Sequence, residues 1–219
     1  MRGLYAITPE TLDTNKLIEQ VRQVIAGGAT IVQYRCKRFG HEIQRMQTEA
    51  LRAVIRGTGA YFIVNDNSEL ALSVGADGVH LGREDGNALA ISRIRKQCGM
   101  RNLASPSRPF MIGVSCYNEL SRAADAVEAG ADYIAFGSFF SSPTKPFAAK
   151  ADLSLLHAAR AQFDVPIVAI GGITVDNAKQ LIATGADMVA VITSLFDADD
   201  IEQRARNFAD LFEPGNHVR

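Results

Sequence analysis

Four similar segments recur along this chain, and their spacing constrains the fold more than any other feature of the sequence. They are GGATIVQYR (27–35), GADGVHLG (75–82), GADYIAFG (130–137) and GADMVAVIT (185–193). Each reads as the end of a helix, a Gly-Ala turn and a short run of strand-forming residues. The glycines before the alanines follow one another at intervals of 47, 55 and 55 residues, the length of two strand–helix units. The repeat predicts a symmetric α/β architecture.

Short apolar runs with the composition of strands buried on both faces occur eight times. They are Leu4–Thr8, Thr30–Arg35, Tyr61–Asp66, Gly78–Leu81, Phe110–Ser115, Tyr133–Phe136, Pro166–Ile170 and Met188–Thr193. Amphipathic helical patterns lie between them, at Asn15–Ala26, Glu42–Arg56, Asn118–Ala129, Asp152–Gln162 and Asp176–Ala183. This alternation predicts a parallel sheet with right-handed crossovers.

Eight strand–helix units can close into a single (β/α)₈ TIM barrel, which we place in residues 1–212, followed by a short tail at 213–219. A doubly wound open sheet is the alternative. The even spacing of the Gly-Ala turns favours the barrel. No GxGxxG follows the first strand, where a dinucleotide-binding sheet would carry it.

Charge and composition exclude several classes of partner. The formal net charge is −1, with 47% hydrophobic and 21% charged residues, so there is no overall basic field for nucleic acid. No apolar run approaches the ~20 residues of a membrane span, and the amino terminus does not resemble a signal peptide. The three cysteines show no CxxC spacing, which favours a reducing compartment. We therefore expect a cytoplasmic protein with no nucleic-acid or membrane partner.

The ends of the strands separate scaffold residues from functional ones, because active sites of such barrels lie at the carboxyl ends. Asp77, Asp132 and Asp187 precede strands and are interpreted as turn residues. Asp66 and Asp85 follow strands and should face the site. These two carboxylates suit Mg²⁺ bound together with substrate phosphates, or alternatively an ion network with nearby cations.

The second strand ends in three polar side chains that point the same way. Gln33, Arg35 and Lys37 alternate with Tyr34 and Cys36, so all three should face the interior at the mouth. Inward cations are costly unless an anion neutralises them. The segment predicts an anion site.

A second anion site is predicted on the other side of the mouth. The Gly/Ser/Pro-rich segment GSFFSSPTK (137–145), the pair Gly171-Gly172 and the run Ile192–Ser194 all follow strands. Loops after the seventh and eighth strands commonly bind phosphate in these barrels. His80, inside a strand, is predicted to pack with one satisfied ring nitrogen. The polar segment Lys96–Pro109 is interpreted as a decorative loop or a contact between subunits of a homo-oligomer.

The motifs together resemble the thiamine-phosphate synthase (thiamine-phosphate pyrophosphorylase) family. The matching segments are LYAIT (4–8), QYRCK (33–37), VNDN (64–67), GADGVHLGRED (75–85), IGVS (112–115), GADYIAFG (130–137), PTK (143–145) and AIGGIT (169–174). The resemblance implies a (β/α)₈ transferase that joins a pyrimidine methyl pyrophosphate to a thiazole phosphate, with thiamine phosphate and pyrophosphate as products.

The resemblance also implies residue roles. The pyrimidine pyrophosphate would be bound by Gln33, Arg35, Lys37, Asn65, Ser115 and Lys145, within a segment that includes Tyr34 and Cys36. Arg35, Lys37, Ser115 and Lys145 would be catalytic, and Asp66 and Asp85 would hold Mg²⁺. The thiazole phosphate would be bound by Ser142, Pro143, Thr144, Gly172, Ile192 and Thr193.

This sequence departs from the family pattern at a few positions. Cys36 stands where a glutamate is often found, Ser142 replaces threonine and Ser138 replaces proline. The segment 96–109 is also longer than typical. The related thiazole tautomerase, a sugar-phosphate epimerase and a non-catalytic thiazole-phosphate sensor are the alternatives. The complete set of pyrophosphate-binding residues favours the synthase over all three.

Overall fold

The computed structural model describes residues 1–82, 85–100, 109–141 and 150–213. The strands are β1 (Gly3–Ile7), β2 (Ile31–Tyr34), β3 (Tyr61–Asn65), β4 (Gly78–Leu81), β5 (Met111–Tyr117), β6 (Tyr133–Phe136), β7 (Ile167–Ile170) and β8 (Met188–Val191). The helices in these ranges are α1 (Thr14–Ala26), α2 (His41–Ile55), α3 (Ser68–Ser73), α4 (Ala88–Met100), α5 (Leu120–Glu128), α6 (Leu153–Gln162), α7 (Val175–Ala183), α8 (Thr193–Phe196) and α9 (Ile201–Ala209), with a 3₁₀ turn at Asp210–Phe212.

The eight strands form one closed parallel barrel in chain order. Every strand pairs with its neighbours in sequence, and β1 pairs with β8 as well as with β2. Tyr5 lies opposite Ile31 on one side and Ala190 on the other. The predicted (β/α)₈ barrel is therefore confirmed, and the open sheet is excluded.

Alternation along the strands divides the apolar residues into two cores. The inner core fills the barrel and consists of Tyr5, Ile7, Ile31, Ile63, Met111, Tyr133, Ala135, Val168, Met188 and Ala190. The outer core packs the other strand face against the helices; Leu4, Val32 and Leu17 belong to it. Because parallel strands in such a barrel are covered on both sides, their near-continuous apolar runs are explained.

The aspartates of the repeated turns have a structural role, as predicted. Asp77, Asp132 and Asp187 each accept a hydrogen bond from a backbone N–H near the start of the preceding strand, at 2.8, 2.6 and 2.8 Å. Arg95 pairs with Asp132, and Arg160 pairs with Asp187 at 2.9 Å. Each carboxylate thus joins two neighbouring strands at the amino-terminal end of the barrel, away from the mouth.

Most predicted elements shift by one or two residues at an end, and two differences change the interpretation. Lys96–Met100 belongs to α4, so the predicted loop is wrong over these residues, while 101–108 lies outside the described ranges. The eighth strand ends at Val191, and Thr193 opens α8 instead of ending a strand. The first difference arises because a polar segment carries little periodic signal, and the second because local sequence does not fix the last residue of a short strand. Helices α3, α4, α8 and α9 were not singled out by the sequence pattern.

Within the described ranges, no helix combines the length and apolarity required to cross a lipid bilayer.

The turn carboxylates should contribute to stability and not to chemistry. We expect Asp187→Ala to lower the free energy of unfolding by about 2 kcal/mol, because a charged acceptor for Arg160 and for the Ile167 N–H is lost. Denaturant unfolding measures this change. The exposed Asp199→Ala variant is the matched control and should unfold like the parent. Equal stability of both variants would contradict the assigned role.

Candidate active site

The residues at the end of β2 occupy opposite sides of the sheet, as alternation predicts. Gln33 is 2% exposed and donates a hydrogen bond to the Tyr5 hydroxyl inside the barrel, at 3.2 Å. Tyr34 points outward and donates to Gln47 Oε1 at 2.8 Å. Burial raises the pKa of Tyr34, so its phenol stays protonated. Binding of substrate by Tyr34 or Cys36 remains a prediction, and the Tyr34 side chain faces away from the mouth.

Arg35 is held by a carboxylate that the sequence analysis missed. Its Nη1 lies 3.1 Å from Glu10 Oε1, and the two side chains are only 20% and 13% exposed. The same oxygen accepts a hydrogen bond from the Lys37 backbone N–H at 3.1 Å. Glu10 follows β1 at the carboxyl end of the barrel, so the strand-end rule could have found it. Glu10 orients the basic segment.

Two predicted metal ligands lie at the ends of β3 and β4, on either side of Gly82. Asp66 Oδ1 accepts a hydrogen bond from the Gly82 N–H at 2.9 Å. A side chain at position 82 would lie 3.0 Å from Asp66 Oδ1 and 3.9 Å from Asp85 Oδ2, so glycine leaves this space between the carboxylates. Asp66 has φ of 60°, a costly conformation for a non-glycine residue. The strained backbone conformation therefore occurs at one of the two predicted metal ligands.

The carboxylate pair fits a hard divalent cation. Among the described residues there is no group of three or more His, Cys, Asp or Glu side chains that would form a complete protein cage. Mg²⁺ is commonly held by one or two carboxylates together with substrate phosphates and water. Lys37 Nζ lies 2.9 Å from Asp66 Oδ2, and Asn65 Nδ2 donates to the same oxygen at 2.6 Å. The predicted ion pairing is therefore present between Lys37 and Asp66, whereas Arg35 pairs with Glu10, and the Lys37–Asp66 pair does not conflict with a cation site.

A cavity of about 310 Å³ opens on the other side of the mouth, among the ends of β5 to β8. Its floor includes Ala135 and Ala190, whose small inward side chains leave space above the inner core. The wall includes Gly172, Ile192 and Thr193, three of the residues predicted to bind the thiazole phosphate. Ser115 lines the same cavity.

The Gly171-Gly172 pair has a structural reason besides ligand approach. Both residues have positive φ, at 107° and 61°. A side chain on Gly171 would overlap Ser138, and one on Gly172 would overlap the backbone of Ser141. The Phe140 N–H donates to the Gly171 carbonyl at 3.0 Å, so this segment lies directly against the end of β7. The glycines let two loops pack together beside the cavity.

Ser115 is presented by an irregularity in β5. The register against β6 shifts between Ser115 and Tyr117, and Tyr117 has φ of 57°. Arg122 on α5 donates to the carbonyls of Ser115 and Gly82, at 2.8 and 3.1 Å. Bulges often re-aim side chains beside active sites. Arg122 therefore connects the end of β5 to the carboxylate side of the mouth, a link that sequence spacing did not reveal.

His80 differs from the sequence-based expectation. Its Nδ1 lies 3.2 Å from the Tyr133 hydroxyl, and its Nε2 lies 2.9 Å from Ser115 Oγ. The expectation of one satisfied ring nitrogen was wrong, because both are hydrogen-bonded. Both partners come from strands that follow β4 in the chain, which local sequence cannot show.

The structure thus brings together Gln33, Arg35, Lys37, Asn65, Asp66, Asp85, Ser115, Gly172, Ile192 and Thr193 around one barrel mouth. The remaining predicted site residues, Ser142, Pro143, Thr144 and Lys145, lie outside the described ranges. The charged group at β2 to β4 and the cavity at β5 to β8 form two adjacent parts of one site.

Comparison with known proteins agrees with this geometry. The family model for thiamine monophosphate synthase matches residues 4–195. A thiamine-phosphate synthase from Aromatoleum aromaticum is 46% identical over 97% of this chain and 97% of its own. The corresponding protein from Nitrosospira multiformis is 47% identical over 96% of this chain and 86% of its own.

Solved structures give the same result. A thiamine phosphate pyrophosphorylase from Pyrococcus furiosus superposes with a TM-score of 0.81 and 33% identity, over 96% of this chain and 95% of its own. A 3-hexulose-6-phosphate synthase, at 16% identity and a TM-score of 0.71, shares the fold alone. With its family match, its close relatives and its two-part barrel mouth, this chain belongs to the thiamine monophosphate synthase family.

Proposed function

We propose that this enzyme condenses 4-amino-2-methyl-5-(diphosphooxymethyl)pyrimidine with 4-methyl-5-(2-phosphooxyethyl)thiazole to give thiamine phosphate and pyrophosphate. The single observation that carries the proposal is the division of one mouth into two parts. One part holds cations and carboxylates, and the other is a cavity lined by glycine and alanine, by hydroxyl side chains and by the aliphatic side chains of β7, β8 and the loops that follow them. Two phosphorylated substrates require two such places side by side.

The pyrophosphate of the pyrimidine substrate would lie against the β2 to β4 side. Arg35 and Lys37 bring positive charge there, and each already contacts a carboxylate, Glu10 or Asp66. A guanidinium oriented by Glu10 can present its remaining N–H donors to phosphate oxygens without reorganising. Gln33 and Asn65 would contact the pyrimidine part, and Lys145 would add a further cation.

Asp66 and Asp85 would hold Mg²⁺ on the side of the mouth where the pyrophosphate would bind. When bound, the cation neutralises charge that develops on the departing pyrophosphate. Lys37 shares Asp66 Oδ2 in this structure, so the lysine and the carboxylates can distribute the charges of a bound pyrophosphate between them. Two carboxylates alone leave coordination positions for substrate oxygens.

The thiazole phosphate would lie in the cavity of the β5 to β8 side. Thr193 and Ser194 open α8, and Ser194 Oγ donates to the Ile173 carbonyl at 2.6 Å, which fixes the turn. Gly172 and Ile192 flank this turn in the cavity wall. Loops after the seventh and eighth strands followed by a short helix are the usual phosphate position in this barrel class. Ser142, Pro143 and Thr144 would complete it.

The proposed chemistry needs no general base. The bond between the pyrimidine methylene carbon and the pyrophosphate oxygen breaks, and its electron pair leaves with pyrophosphate. The thiazole nitrogen then donates its lone pair to the resulting pyrimidine-stabilised cation. Arg35, Lys37, Ser115 and Lys145 would stabilise the leaving group, and the cavity would orient the nucleophile. Ser115 lines the cavity, so it would lie where the two substrates meet.

The direct test combines both substrates with the purified protein and follows pyrophosphate release. We expect release with Mg²⁺ and a loss of at least tenfold after chelation, because the leaving group then keeps its full charge. Absence of release when both substrates and Mg²⁺ are present would overturn the proposal.

Asp85→Ala should separate the two parts of the site. We expect kcat to fall by about 100-fold while the KM for thiazole phosphate changes less than about threefold, because the carboxylate serves the pyrophosphate side. Steady-state kinetics with each substrate varied gives both values. The exposed Asp199→Ala variant is the control for removal of an acid. A collapse of thiazole binding in Asp85→Ala would refute the two-part division.

Thr193→Asp should produce the opposite pattern. A carboxylate at the start of α8 repels the thiazole phosphate, so its KM should rise by more than about tenfold. Thr193→Val keeps the side-chain volume and removes only the hydroxyl, so its smaller effect isolates the contribution of charge. If the two variants behaved alike, the phosphate would not lie against this turn.

A further inference from the structure

A chain of hydrogen bonds crosses the barrel interior directly below the mouth. Gln33 Nε2 donates to the Tyr5 hydroxyl at 3.2 Å, and the Tyr5 and Tyr133 hydroxyls are 2.9 Å apart. Tyr133 contacts His80 Nδ1 at 3.2 Å, and His80 Nε2 contacts Ser115 Oγ at 2.9 Å. The chain therefore begins and ends at two residues with proposed substrate contacts. The three residues between them are buried and are not assigned any role above.

Ring packing holds the middle of this chain. The His80 and Tyr133 rings stack with centroids 5.7 Å apart and planes inclined by 25°, and Tyr5 meets Tyr133 edge-on at 6.0 Å. A side chain at Gly113 would overlap the Tyr133 ring, so glycine on β5 makes the space for it. The exposed fractions of Tyr5, Tyr133 and His80 are 1, 0 and 8%. These rings have little freedom to change partners.

The chain has a direction, because each hydroxyl carries one proton. Tyr5 accepts from Gln33, so its own proton goes to Tyr133. Burial foremost raises the pKa of both phenols, so both remain protonated at neutral pH. Tyr133 then donates to His80 Nδ1, and a neutral imidazole with an accepting Nδ1 carries its proton on Nε2.

The direction determines what the last residue can offer. His80 Nε2–H donates to Ser115 Oγ, so the Ser115 proton is not used by His80. Among the residues that the structure describes, His80 is the one hydrogen-bond partner of the Ser115 hydroxyl. Ser115 can therefore donate its proton into the cavity that it lines. At the other end, one of the two Gln33 N–H groups donates to Tyr5, which turns the amide oxygen away from Tyr5 and leaves it as an acceptor for a ligand.

The opposite direction would reverse both ends. If the Gln33 amide oxygen accepted a hydrogen bond from Tyr5, donor and acceptor would be exchanged in every hydrogen bond of the series. Ser115 would then donate to His80 Nε2. Ser115 would then present only lone pairs, which repel the oxygens of an anionic substrate. A single flipped amide at Gln33 would thus weaken binding at both residues.

We propose that Tyr5, Tyr133 and His80 are positioning residues that make Ser115 a hydrogen-bond donor and Gln33 an acceptor. The inference rests on the proposed function, since an aminopyrimidine offers an amino N–H to Gln33 and its pyrophosphate offers oxygens to Ser115. These three residues form a hydrogen-bonded relay between Gln33 and Ser115. The relay makes one end an acceptor and the other end a donor, and its own residues do not contact the substrate.

The first test measures the His80 tautomer in the substrate-free protein by ¹⁵N NMR. We expect the proton on Nε2, and we expect a mixture of tautomers in Tyr5→Phe, because Tyr133 is then free to donate or accept. A wild-type His80 protonated on Nδ1 would overturn the relay. This measurement needs no turnover, so it judges the relay even if no pyrophosphate is released and the proposed function fails.

The second test is a double-mutant cycle between Tyr133 and Ser115. Tyr133→Phe should lower kcat/KM for the pyrimidine substrate by about tenfold, the size of one hydrogen bond. In a Ser115→Ala background the same change should cost about twofold or less, since the relay acts through that hydroxyl. A merely structural role would give equal losses in both backgrounds, and that result would refute the proposal.

Tyr61→Phe is the matched control for this cycle. Tyr61 is the first residue of β3, as Tyr133 is of β6, and it packs against the same inner core without being one of the five residues of the hydrogen-bonded series. Its variant should retain the His80 tautomer and the kinetic constants of the parent. Thermal unfolding of Tyr5→Phe and Tyr133→Phe confirms that each variant is folded. If Tyr61→Phe altered the His80 tautomer as Tyr133→Phe does, the effect would belong to general packing, and the relay would be wrong.

Discussion

The pairing of β1 with β8 closes the sheet, and the position of every functional side chain depends on that closure. A closed parallel sheet has no edge, so alternate residues of each strand must face either the interior or the helices. Turn carboxylates such as Asp132 and Asp187 join neighbouring strands at the amino-terminal end. The opposite, carboxyl-terminal end carries the side chains that we propose bind the substrates.

The barrel interior changes in character from one end to the other. Near the start of the strands it is filled by apolar side chains such as Ile31 and Met188. Toward the mouth, the buried side chains of Gln33, Tyr5, Tyr133 and His80 form a linear series of hydrogen bonds, which Tyr133 joins from the first residue of β6. Buried polar groups are tolerated when they are satisfied, and a connected set constrains the orientation of each member. The interior thus supports the polarity of the site as well as the fold.

The mouth is asymmetric although the scaffold repeats. Charged residues follow β2, β3 and β4, whereas β5 to β8 contribute small, hydroxyl and aliphatic residues around a cavity. Arg122 connects the two parts through the carbonyls of Ser115 and Gly82. In a reaction that separates pyrophosphate from one substrate and admits the nitrogen of another, such a division keeps the anions apart and the reacting atoms close.

The sequence by itself determined the barrel, the scaffold role of the turn aspartates and the strand-end groups Gln33, Arg35, Lys37, Asp66 and Asp85. Repeat spacing, alternation and strand ends are local signals, so they can be read without coordinates. Only the tertiary structure decided which groups these side chains contact. Glu10 pairs with Arg35, and Arg122 donates to carbonyls at the ends of β4 and β5. Both ring nitrogens of His80 are hydrogen-bonded, to Tyr133 and to Ser115. Tyr5 and Tyr133 are separated by 128 residues in the chain and meet only because the barrel closes.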